Sequence, residues 1–191
     1  ELIEELRQHF SEQHIVELLN NGYAAYRKSD GAVLERTSTL TEFWEGLGVT
    51  PIGTAFDPRV LYDAANRRWF AVSIDGLFPD DPNAGSTDPN SYLIAVSKSA
   101  DPTDGWTAFQ IDSDPTDLSW ADHPRLGMDA EGLYLTTWRF GFAATIDLSP
   151  WLGNNLLVLP KADLLAPTPS VANATKWSGL KDGITGRKPQ M

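Results

Sequence analysis

Two aspartates stand directly before proline-led strands, Asp57 in Phe56-Asp57-Pro58 and Asp122 in Asp122-His123-Pro124. If folding brings their carboxylates together, unequal surroundings push paired pKa values apart and divide acid from base work, as glycoside hydrolysis requires. Asp before Pro is also good turn chemistry, because the carboxylate accepts backbone N–H bonds, so both accounts stand at this level. Arg59, Arg125, His123 and Trp138 lie in the same stretches. They offer the cationic, hydrogen-bonding and aromatic contacts by which a ligand is held. A second acidic set, Asp112, Asp114 and Asp117, places oxygens at positions 1, 3 and 6 of one loop, with Asp80, Asp81 and Asn83 in another. Hard cations such as Ca²⁺ take six to eight oxygens, so this loop is either a structural Ca²⁺ site or a solvated polar turn. It is not an EF-hand, which needs Gly sixth and Glu twelfth where this loop has Asp117 and His123. His9, His14 and His123 show no zinc-ligand spacing, and the glycine-rich nucleotide and nucleophile-elbow motifs are absent.

The elements that must position these residues are mostly strands. Asp57-Pro58-Arg59-Val60-Leu61-Tyr62-Asp63 can be laid on His123-Pro124-Arg125-Leu126-Gly127-Met128-Asp129, an offset of 66 from Pro58 to Pro124. Each copy turns into an aromatic-bearing strand, and the first continues into SYLIAVS and WTAFQID, giving four consecutive strands. Four antiparallel strands repeated radially are a propeller blade. Upstream, HIVELLN, GYAAYRK and AVLERTS are parted by Asn-Gly and Asp-Gly, strong hairpin signals. FAATIDL and NLLVLPK read as later strands. Helical spacing of Leu2, Ile3, Leu6 and Phe10 predicts a short amphipathic helix over 1–10, and a brief second helix is expected over Leu40 to Leu47. The expected fold is all-β: a partial β-propeller of about three four-stranded antiparallel blades over 13–191, with an N-terminal helical extension over 1–12. Alternation further predicts that Trp69 or Phe70 is buried, with Tyr134 its counterpart in the next repeat.

The run DPRVLYDAANRRWF, LIAVSKSADPTDGW, WADHPRLGMDAEGLYLTTWRF, NNLLVLPKADLLA resembles a β-propeller repeat of large extracellular bacterial proteins. The resemblance spans about Gln13 to Leu180 and departs at His123, where that pattern carries an aromatic residue. It implies that further blades belong to a longer chain, since closed propellers have 4–8 blades, and it implies a secreted or cell-surface location. Ser97 to Trp106, with Asp101, Asp104 and Gly105, is similar to the Asp-box hairpin of sialidase-type propellers, which is a structural turn. In a propeller the leading ends of the innermost strands meet at one mouth of the channel, where Asp57 and Asp122 would converge. Five-bladed glycosidases are similar in using such an Asp-Pro strand start.

Composition narrows the partners. With 26 Asp+Glu against 15 Lys+Arg, the net charge of -11 disfavours phosphate backbones and anionic lipid surfaces. No apolar run approaches a membrane span, and there is no cysteine for disulfides or thiolate chemistry. Seven Trp and eight Phe suffice for a packed core. The functional expectation is a non-enzymatic module that binds a carbohydrate or an extracellular protein and needs no cofactor. The alternative is a glycoside hydrolase or lyase using Asp57 and Asp122. Trp138 and Trp151 either stack on sugar rings or fill the space between blades.

Overall fold

The computed structural model describes residues 11–77, 90–116, 119–141, 150–181 and 183. It consists of three antiparallel sheets, each a meander in which sequence neighbours pair. Sheet A contains β1 (His14–Leu19), β2 (Gly22–Arg27) and β3 (Val33–Arg36). Helix α1 (Leu40–Gly46) then leads to sheet B, formed by β4 (Thr54–Asp63), β5 (Arg68–Gly76), β6 (Ser91–Ser97) and β7 (Trp106–Asp112). Sheet C holds β8 (Ser119–Met128), β9 (Gly132–Gly141), β10 (Trp151–Pro160) and β11 (Thr175–Leu180), with the short helix α2 (Lys161–Leu164) between the last two. The all-β expectation therefore holds, and among the described residues the strands do not close into a barrel. The first sheet has three strands where four were expected, because the chain after β3 enters α1. Thr39 starts that helix with a capping box, its hydroxyl accepting from Glu42 N while the Glu42 side chain accepts from Thr39 N. Strand β11 was not anticipated. The helix expected over 1–10 and the strand FAATIDL lie outside the described residues.

Sheet B has apolar residues on both faces because it is covered on both. One face, with Trp69, Ala71, Leu93 and Ala95, packs on sheet A and α1, where Val16, Tyr23, Leu40, Phe43 and Trp44 are buried. The other, with Phe70, Val72, Ile74 and Ile94, packs on Leu133, Leu135, Leu157 and Leu159 of sheet C. This explains why β6 reads as a continuous apolar run, Tyr92 to Val96, while β10 alternates. Both Trp69 and Phe70 are buried, and Tyr134 is half-buried.

The hairpin from Ser97 to Trp106 behaves as a structural turn. Asp101 accepts from Thr103 N at 2.9 Å and starts a 3-10 turn, and Gly105 takes φ +92°, which favours glycine. Trp106 is buried with its indole N–H donating to the Pro102 carbonyl at 3.1 Å.

Polar side chains join the sheets. Asn90, at the head of β6, donates to the Ala121 carbonyl at 2.6 Å and accepts from Ala121 N at 2.8 Å. Asp75 lies inside β5, fully buried. It accepts from Ile52 N, Ser91 N and the Gln110 amide. Burial outweighs those bonds and pushes its carboxyl up to about 6. A carboxyl whose folded pKa exceeds its unfolded value favours the fold while protonated, so this contribution is full below about pH 4 and is lost as pH rises through about 6. Asp75→Asn should remove that pH dependence. The stability of the native protein relative to the variant, from urea melts at pH 4 and pH 7, should fall by roughly 2 kcal/mol over that interval; a constant difference would show that Asp75 does not titrate there.

Candidate functional site

The first strands of the three sheets lie side by side, β1 against β4 and β4 against β8. Both β4 and β8 break register at their prolines, between Phe56 and Arg59 and between Asp122 and Arg125. The extra residue in each bulge is forced into the left-handed region, Asp57 at φ +51° and His123 at φ +50°. The register reproduces the repeat, since Arg59 faces Val72 as Arg125 faces Thr136. It also agrees with the alignment residue by residue. The counterpart of Asp57 is His123, and Asp122 corresponds to Phe56, one residue earlier, because the pairs Phe56–Ile74 and Asp122–Trp138 occupy the same rung.

The carboxylates meet all the same. His123 Nδ1 lies 3.3 Å from Asp57 Oδ2 and 4.0 Å from Asp122 Oδ1, and one ligand atom from each of the three residues falls within 4.8 Å of the others. Asp122 Oδ1 also accepts from His123 N at 2.8 Å. Asp57 N donates to Asn20 Oδ1 at 2.7 Å, which ties the β4 bulge to the β1–β2 turn. The His123 ring meets the Trp138 ring edge to face, with centroids 4.1 Å apart. Asp57 and Asp122 are partly covered, whereas the imidazole is nearly half exposed. Arg59 is held below its ordinary value by burial and then by the neighbouring Arg125 charge, with Asp57 pulling the other way. Trp120 stacks on Phe140 at 5.2 Å, and Phe140 meets Trp138 edge-on at 6.2 Å, so an aromatic row extends from the cluster along sheet C.

All six residues singled out around the two proline-led strands thus share one region. Asn20, Trp120 and Phe140 were not singled out. The Asn-Gly turn signal included the neighbour of Asn20, but nothing in the sequence announced a contact with a residue 37 positions away.

The acidic loop after β7 behaves differently. Asp112 Oδ1 accepts from Asp114 N at 2.8 Å. Asp114 accepts from Thr116, from the Ser119 hydroxyl and from Arg139 at 3.1 Å. Although partial burial opposes it, these hydrogen bonds hold the Asp114 carboxyl well below its usual range. Its oxygens fasten the β7–β8 connection to β9. Asp117 lies outside the described residues, as do Asp80, Asp81 and Asn83. Trp151 sits half-buried at the start of β10, with the Lys181 ammonium 5.5 Å from its ring centroid. Among the described residues no helix is long and apolar enough to cross a membrane. Neither the family models nor the curated proteins nor the solved structures contain a match to this chain.

Proposed function

We propose that this chain is part of a β-propeller in a secreted or cell-surface protein and serves as a non-enzymatic carbohydrate-binding module, with its ligand held where the first strands of the sheets converge. The observation that carries the binding site is the meeting of Asp57, Asp122, His123, Arg59, Arg125 and the aromatic row led by Trp138 at two adjacent bulges. Carboxylates and guanidinium groups are the usual hydrogen-bonding partners of sugar hydroxyls, and an aromatic ring supplies the apolar face that a pyranose needs.

The propeller reading is supported by the repeat in packing. Phe70, Val72 and Ile74 of sheet B are buried against sheet C, and in sheet C the same rungs are occupied by Tyr134, Thr136 and Trp138, all half-buried. Phe109 and Ile111 pack against that buried face, while their register counterparts Trp177 and Leu180 are 48% and 43% exposed. A further sheet of the same kind, laid on sheet C as C lies on B, covers them.

A second reading, glycoside hydrolysis, is favoured by one distance: the Asp57 and Asp122 carboxylate oxygens lie within 4.8 Å, near the roughly 5–5.5 Å separation of retaining enzymes. One experiment separates the two. On a glycan array Trp138→Ala and Arg125→Ala should each abolish retention of the glycans bound by the native protein, with no turnover of a glycoside panel. Hydrolysis that vanishes in both Asp57→Asn and Asp122→Asn would establish the enzymatic reading instead.

A further inference from the structure

We propose that Asp57, Asp122 and His123 form a site for one first-row divalent cation, with Zn²⁺ the best match. Unlike the acidic turn after β7, this set is chemically mixed, one imidazole nitrogen and two carboxylate oxygens. Imidazole together with carboxylate suits zinc and its neighbours, whereas Ca²⁺ and Mg²⁺ prefer oxygen alone. Zinc binds nitrogen and oxygen at about 2.0–2.2 Å, so ligand atoms sharing one ion lie roughly 3–4 Å apart. The separations from His123 Nδ1, 3.3 Å to Asp57 and 4.0 Å to Asp122, are in that range before any ion draws the side chains in.

The ligands come from two different sheets, and the surrounding structure positions each of them. Asp57 and His123 occupy the equivalent bulge positions of β4 and β8, which aim the two side chains at each other. Asn20 secures the Asp57 backbone at 2.7 Å, and Trp138 fixes the plane of the imidazole. Three protein ligands leave a coordination position open, as in zinc sites that accept an exogenous ligand. Two carboxylates neutralise the dication. This assignment shares its residues with the carbohydrate reading but does not require it, because metal uptake is measured with no sugar present.

The test is titration of the untagged chain with Zn²⁺ by calorimetry, and with Co²⁺ by visible absorption. One equivalent should bind saturably, and Co²⁺ should show the intense bands of a four- or five-coordinate site. Asp57→Asn and His123→Phe should each weaken binding by roughly 100-fold or more, while Asp112→Asn should leave it unchanged. His123→Phe places an aromatic ring on a nearly half-exposed position, so its circular dichroism should match the native protein. Absence of saturable one-to-one uptake, or uptake retained by a folded His123→Phe, would overturn the proposal. Metal uptake without glycan retention would leave the cation site standing and remove the carbohydrate reading.

Discussion

Trp69→Ala should lower the stability of this protein by about 3–5 kcal/mol, the cost of emptying a large aromatic site that cannot collapse. Trp69 is fully buried between sheets A and B. Its ring packs on Tyr62 with centroids 4.7 Å apart, and its indole N–H donates to the Ala100 carbonyl at 3.0 Å. The substitution therefore leaves both a cavity and a carbonyl without its donor. For a chain of this size the melting temperature should drop by about 6–20 °C. Trp177, on the outer strand of sheet C and 48% exposed, provides the contrast: its replacement by Ala should cost less than about 1 kcal/mol. Thermal melts of the two variants in parallel check the pair, and equal shifts would show that Trp69 is not core.

The second large effect belongs to a buried ion pair. The Lys161 ammonium contacts the Asp63 carboxylate, with their side chains 5% and 6% exposed, and also donates to the Asp129 carbonyl at 2.6 Å. Asp63 and Asp129 are the equivalent residues closing the two repeats, so one lysine at the start of α2 fastens both strand ends. Burial alone raises an acid, but Lys161 and Asn66 outweigh it and hold the Asp63 carboxyl below its ordinary value. That stabilisation is present above about pH 4 and is lost as pH falls through the folded value. Lys161→Met keeps most of the volume but strands a buried carboxylate, and it should cost about 3–5 kcal/mol at pH 7. Asp63→Asn combined with Lys161→Met should recover much of that loss, because neither charge remains. The amide oxygen introduced by Asp63→Asn can still accept from the turn N–H groups of Ala65 and Asn66 that the carboxylate now caps. Denaturant melts of the single and double variants measure the coupling. A double variant no more stable than Lys161→Met would mean that lost packing dominates.

Much of the architecture was legible from local chemistry. Alternation, Asn-Gly and Asp-Gly turns and the 66-residue repeat located every described strand except β11 approximately, because each signal acts over a few residues. The capping box from Thr39 to Glu42 and the turn from Asp101 to Gly105 are equally local, and both formed as their residues dictate. Strand β11 escaped because TKWSGL is mostly exposed and lacks the apolar alternation of a covered strand. For the candidate site, residue types and spacing singled out Asp57, Asp122, His123, Arg59, Arg125 and Trp138. Their mutual geometry was set by tertiary structure. The alignment already matched Asp57 to His123, but that two bulges in neighbouring sheets bring the two side chains within 3.3 Å depends on how the sheets pack. Packing likewise buried Asp75, gave Asp114 to Arg139, and brought Lys161 to Asp63 from far along the chain. Sequence specifies what each segment prefers over short range; which charges are desolvated, and against what, depends on the faces that the sheets bury together.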